Sequence, residues 1–180
     1  MKKVLIVHGW GGSDYPHWQS WLASELAKDY GCVYFLKFND VDNPTKIEWS
    51  KELLDALKDF NPDIVICHSL ANTLWFHLAN EKKLKRIQKL FLVAPPSMNT
   101  HIKELNEFFP CEIPEELYAK ETILVGSSND PYMDESELLR LQAELDIEMK
   151  LLQNAGHINA DSNYGKWDWI LKEVKNAYKS

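Results

Sequence analysis

Six short runs of this 180-residue chain, most of them nearly continuously apolar, alternate with segments that carry a helical pattern. They lie at residues 3–7, 33–37, 64–67, 89–93, 122–125 and 148–152. A strand wetted on one face alternates apolar and polar residues, whereas a strand covered on both faces reads as an unbroken apolar run. Between the runs, Trp18, Trp21, Leu22 and Leu26 fall on one helical face. Trp49, Leu53 and Leu57 do the same, with Leu54 alongside, and so do Trp167, Ile170, Leu171, Val174 and Tyr178. These stripes are read as core packing. Strand–helix alternation of this kind predicts an α/β fold: about six mostly parallel strands, doubly wound, with helices on both faces. The length suits one domain over residues 1–180 and leaves no insertion long enough for a large cap domain.

Composition narrows the function classes. The formal net charge of -7 argues against a nucleic-acid surface, which needs clustered Lys and Arg. The one basic stretch, Lys82, Lys83, Lys85 and Arg86, has no aromatic interleaving and reads as a solvated helix end. Cys32, Cys67 and Cys111 have no metal-type spacing, and an odd count suits a reducing compartment. Lys2-Lys3 before an apolar stretch is like the start of a signal peptide, but the stretch breaks at His8-Gly9 and reads as a first strand. No apolar run approaches a membrane span. A soluble, cytoplasmic protein is expected, without membrane or nucleic-acid partners; its oligomeric state is not readable.

Chemistry-bearing residues follow the apolar runs. Ser69 stands after the run 64–67 and before a helix-like segment. Asp130 lies past 122–125 in a turn marked by Ser127, Ser128, Asn129 and Pro131. His157 follows Gly156 after 148–152. The order serine, aspartate, histidine on one parallel sheet is that of the α/β-hydrolases and differs from the chymotrypsin and subtilisin orders. A sharp strand-to-helix turn at Ser69 lifts a nucleophilic hydroxyl clear of the sheet. Asp130 orients the imidazole of His157, which acts as the base. His8-Gly9-Trp10-Gly11-Gly12 opens the chain after the first run, and the N–H groups of Trp10 and Leu70 are the candidate oxyanion donors. Each residue also has a plainer reading: Ser69 as a helix cap, Asp130 as a turn former, His157 as a structural histidine.

Other candidates are weaker. His68 points to the opposite face from its neighbours and reads as packing. Cys67 reads as a small buried residue, and Asp134 as a helix cap with Glu137 three residues on. His8, His17, His77 and His101 have the wrong chain positions for the base. No His or carboxylate set has metal spacing, so no metal is expected. Gly9, Gly11 and Gly12 do not make a dinucleotide-binding Gly-x-Gly-x-x-Gly, and no cofactor is expected. Residues 95–120 are irregular, with four prolines and Phe108-Phe109. They either line a ligand cleft at the carboxyl edge of the sheet or form a connection whose phenylalanines fill a satellite core. On the first reading Trp10, Phe108 and Phe109 contact substrate.

Taken as a set, His8-Gly9-Trp10, His17-Trp18-Gln19-Ser20-Trp21-Leu22, His68-Ser69-Leu70, Gly126 to Pro131 and Gly156-His157 resemble the small serine hydrolases of the retinoblastoma-binding protein and bacterial YdeN type. The resemblance implies a compact single-domain α/β-hydrolase fold without a large cap domain, and a Ser69–Asp130–His157 triad. The chain departs from the wider hydrolase pattern at Cys67 and Ala71, where glycine is common. The expected function is cleavage of a small ester, or an amide or thioester, through an acyl-enzyme on a small-molecule substrate. The alternative is a non-catalytic binding module that keeps the hydrolase fold.

Overall fold

The structure, a computed structural model, describes residues 2–29 and 31–178. Its six strands are β1 (Lys3–Val7), β2 (Cys32–Leu36), β3 (Ile64–His68), β4 (Ile87–Val93), β5 (Ala119–Ser127) and β6 (Glu148–Leu152). They form one sheet in the order β2-β1-β3-β4-β5-β6, and every neighbouring pair is parallel. β5 is longer than its apolar run because both edges are paired: Ala119 meets Ile87 on β4, and Ser127 meets Leu152 on β6.

Five helices cover the sheet: α1 (Trp18–Lys28), α2 (Lys46–Phe60), α3 (Leu70–Asn80), α4 (Glu135–Leu145) and α5 (Asp168–Ala177). Two apolar cores lie between them and the two faces of the sheet. Trp18, Leu22 and Leu26 of α1 pack with Ile170 and Val174 of α5 on one face. Trp49 and Leu53 of α2, Leu74 and Trp75 of α3 and Leu138 and Leu141 of α4 fill the other. The strands feed both cores alternately: Val4 and Ile6 point to the first, Leu5 and Val7 to the second.

The chain leaves β1 toward β2 at one edge, then returns to place β3 on the other side of β1. The loops after β1 and β3 therefore diverge, and such a switch point opens a crevice at the carboxyl ends of the strands. Residues 9–17 follow β1 there, and Ser69 follows β3. Residues 94–118 connect β4 to β5 around a 3-10 helix, Lys103–Phe108.

Candidate active site

Ser69 occupies a backbone conformation that side chains rarely adopt, φ 54 and ψ -123, between β3 and α3. Strain of this kind costs about 1–3 kcal/mol and persists only where the surroundings enforce it. Here they do. The Ser69 N–H donates to Val93 O at 3.0 Å, while Asn72 Nδ2 donates to both Ser69 O (2.8 Å) and Val93 O (2.9 Å). Cys67 and Ala71 flank the turn with no exposure. The close approach for which glycine is needed falls instead at Gly9. A Cβ there would lie 2.8 Å from Ser69 Cβ and 3.1 Å from Leu70 N.

The loop after β1 is fastened at both ends. His8 Nδ1–H donates to Gly9 O at 2.7 Å and its Nε2 accepts from Phe38 N at 3.0 Å. Trp10 Nε1 donates to Asp42 O at 2.9 Å and Gly11 N to Val41 O at 3.0 Å. The backbone N–H groups of Trp10 and Leu70 make no hydrogen bond among the described residues. Both stand free beside the Ser69 turn.

The structure brings Ser69, His157 and Asp130 into one hydrogen-bonded row. Ser69 Oγ lies 2.8 Å from His157 Nε2. His157 Nδ1 lies 2.9 and 3.0 Å from the two carboxylate oxygens of Asp130. With Nδ1–H donated to the carboxylate, Nε2 is the acceptor for the serine O–H. Asp130 Oδ1 also accepts from Tyr132 N at 2.9 Å, and the Tyr132 ring stands edge-on to His157 at 4.5 Å.

Four successive N–H groups before and at His157 are each taken by a side-chain oxygen. Asn154 N donates to Ser128 Oγ (3.0 Å), Ala155 N to Ser127 Oγ (2.9 Å), Gly156 N to Asn129 Oδ1 (2.8 Å) and His157 N to Ser162 Oγ (3.2 Å). The loop is further pinned through Ile158, a β-branched residue held at φ 49. Trp18 Nε1 donates to its carbonyl at 2.8 Å.

Two more histidines pack beside the row. His68 Nε2–H donates to His157 O at 3.1 Å, and His17 stacks edge-on to His68 at 4.9 Å. Burial, reinforced by the nearby His157 ring, pushes His68 well below the ordinary histidine range and His17 down to about 4. Both rings are neutral near pH 7. Burial also raises the Cys67 thiol far above its usual value, so Cys67 is no competing thiolate.

A cavity of about 400 Å³ opens on Ser69 and His157. Its lining includes polar groups of His17, Asn159 and Asp161 and apolar ones of Pro96, Ile102 and Leu105, with Trp10 and Tyr132 beside the reacting residues. The placement of the phenylalanines corrects the sequence reading. Phe108 has no exposure; it faces the Trp49 ring at 6.0 Å within the larger core, because the 3-10 helix turns it inward. Phe109 lines a separate groove with Asn99, His101 and Pro110. The apolar wall comes from the same irregular segment, but from Ile102 and Leu105. Asp134 caps α4, accepting from Glu137 N at 2.8 Å. Glu137 does not reciprocate: its carboxylate instead accepts from Ser97 Oγ (2.7 Å) and Met98 N (3.2 Å), tying α4 to the start of that wall. Among the described residues, no three His, Cys, Asp or Glu side chains group as a metal centre requires, and no helix is long and apolar enough to cross a membrane.

A sequence-family model described as serine hydrolase matches residues 4–176. No curated protein matches the chain. Among solved structures, the ydeN gene product of B. subtilis superposes with a TM-score of 0.88 at 19% identity, covering 100% of both chains. A yden-like hydrolase, described as putative, from Pectobacterium atrosepticum gives 0.75 at 22% identity, covering 98% of this chain and 90% of that one. The esterase domain of a Rhodothermus marinus protein gives 0.65 at 12% identity, covering 96% and 84%. At these identities the structural likenesses establish the α/β-hydrolase fold.

Proposed function

The chain belongs to the serine hydrolase family, and we propose that it cleaves a small carboxylic ester with Ser69 as nucleophile, His157 as base and Asp130 as its orienting acid. The observation that carries this reading is the unbroken row Ser69 Oγ–His157 Nε2 (2.8 Å) and His157 Nδ1–Asp130 Oδ2 (2.9 Å). Ser69 Oγ attacks the ester carbonyl as its proton passes to His157 Nε2. The unspent N–H groups of Trp10 and Leu70 receive the developing oxyanion. Collapse of the tetrahedral adduct expels the alkoxide, which leaves with the proton from His157. Water, activated by the same imidazole, then releases the acid. An amide or thioester would follow the same route.

The volume of about 400 Å³ falls within the range of small-molecule sites and supports short or compact acyl groups over long lipid chains. Three free thiols and the lack of a membrane-length helix among the described residues fit our placement of the protein in the cytoplasm. A fluorophosphonate probe tests the central step. Wild type is labelled on Ser69, Ser69→Ala is not, and turnover of short para-nitrophenyl esters falls by about a thousandfold or more in that variant. Folded Ser69→Ala with near-wild-type hydrolysis would sink the assignment.

A further inference from the structure

Two stretches of the cleft lining belong to different faces of the sheet. Ile102 and Leu105 adjoin the core beneath α2, α3 and α4. His17 caps α1, and the loop from His157 to Asp161 is bonded to α1 through Trp18 and Ile158, on the α1–α5 face. Ser69 stands between. His157 Nε2 must return its proton to the leaving oxygen, so the leaving group lies beside His157, next to His17 and the loop that runs to Asp161.

That stretch of the lining holds unspent hydrogen-bonding capacity. His17 lines the cavity and is 95% buried, being 5% exposed. Its Nδ1 accepts from Gln19 N at 3.2 Å, which fixes the proton of the neutral ring on Nε2. That Nε2–H has no partner among the described residues. Asp161 stands exposed at the rim and forms no ion pair among the described residues. Asp14, also at the rim, is already paired with Lys37 at 2.7 Å. A buried donor and a free carboxylate are poor company for an alkyl chain, because unpaired polar groups disfavour an apolar neighbour. A hydroxyl suits them, since it accepts from His17 and donates to Asp161.

We propose that His17 and Asp161 form a leaving-group subsite for a polyol, a glycerol-like or sugar-like alcohol, while Ile102 and Leu105 hold an apolar acyl group. This rests on the reading of Ser69 and His157 as nucleophile and base. The ligand is neutral: a carboxylate or phosphate in the leaving group meets Asp161 and no lysine or arginine on the cavity wall.

The test compares glyceryl monobutyrate with propyl butyrate, which share the acyl group and the three-carbon alcohol skeleton. Each kcat/KM is divided by the ester's hydroxide-catalysed rate, and the ratio between esters is independent of the folded fraction of enzyme. Wild type favours the glyceryl ester by about tenfold, the worth of one or two hydrogen bonds. His17→Phe lowers that ratio about fivefold and Asp161→Ala about threefold. His17→Gln, which keeps an N–H donor, retains more of it than His17→Phe, and Asp55→Asn on α2 leaves it unchanged. Should neither ester turn over, glycerol protects Ser69 from the fluorophosphonate better than propanol does. A wild-type ratio near one, a ratio unmoved by His17→Phe and Asp161→Ala, or equal protection by the two alcohols overturns the subsite and leaves the nucleophile standing. Loss of Ser69 labelling in wild type overturns both.

Discussion

Ser69 sits on a close-packed turn with little room around it, whereas His157 sits on a loop whose successive N–H groups are held by side-chain oxygens. At the serine, the neighbours are Cys67, Ala71 and Gly9, and the turn is held by backbone carbonyls and Asn72. At the histidine, Ser127, Ser128, Asn129 and Ser162 each accept one backbone N–H. The difference follows from where the two segments begin. β3 is a central strand buried between two helical layers, so its end is governed by volume. β6 is an edge strand, so the loop leaving it has fewer packing neighbours and depends on polar partners for its N–H groups. The two regions accordingly fail to different substitutions: added bulk breaks the first, loss of an oxygen breaks the second.

The largest effect comes where both regions converge. Asp130→Asn keeps the shape but stabilises the wrong imidazole tautomer, and turnover drops by about ten-thousandfold as judged by the same change in other triad enzymes. Asp134→Asn, which preserves a helix cap, changes turnover less than about twofold. Steady-state kinetics on one ester decides this, and equal mild effects would reassign the acid.

Next comes bulk at the serine turn. Gly9→Ala forces a methyl group to 2.8 Å from Ser69 Cβ, displacing the nucleophile or the oxyanion loop. A shift of this kind costs about a hundredfold in kcat. Retention of wild-type kcat would show that the turn yields more readily than its packing implies.

Removal of an oxygen from the base loop has a smaller effect. Asn129→Ala leaves Gly156 N and Ser127 Oγ without an acceptor, at a cost of about 1–2 kcal/mol in stability. Turnover falls by about tenfold, and Asn129→Asp, which keeps the acceptor, restores most of it. Urea denaturation and kcat of the same variants make the comparison. Full activity in Asn129→Ala would mean that the loop is carried by its other three anchors.

The last effect is a slope, and it acts on stability rather than on turnover. The unfolded chain protonates His17 near pH 6.5, while the folded protein resists until about 4. The unfolded state thus binds more protons in this interval, and stability falls as pH drops through it. The slope is at most about 1.4 kcal/mol per pH unit, and the total about 3 kcal/mol. His68, lowered in the same direction, steepens the loss. Urea midpoints between pH 7 and 4 read the slope; His17→Asn, which does not titrate, flattens it. An unchanged slope in that variant would remove His17 as its source.

The central strands were legible because β1, β3 and most of β4 are buried on both faces, and continuous apolar runs mark such strands directly, whereas the half-buried edge strand β6 followed from its place in the alternation. The runs at 3–7 and 148–152 coincide with β1 and β6, and the others differ by a few residues at their ends. The positions of Ser69, Asp130 and His157 after strands 3, 5 and 6 were likewise readable from chain order. The contacts that organise the site were not. Ser127, Ser128 and Asn129 read as turn residues, since nothing local reveals that their oxygens serve N–H groups about 26 to 28 residues further on. His68 read as packing, yet its Nε2–H supports the carbonyl of His157, 89 residues away. Phe108 and Phe109 looked like substrate contacts because aromatic pairs in irregular segments suit either a core or a cleft. The orientation of a 3-10 helix, set by its neighbours, decided between them.

The two cores meet the solvent together at the cleft, and each contributes one wall. Ile102 and Leu105 are anchored in one hydrophobic mass, His17 and the Asp161 loop in the other, with the sheet as partition. Residues that share no packing partners contribute nearly additively. On our proposed reading, preference for the acid half of a substrate and preference for its alcohol half are therefore separable traits. A lineage carrying this scaffold can exchange one without re-evolving the other, and the machinery between them is inherited intact.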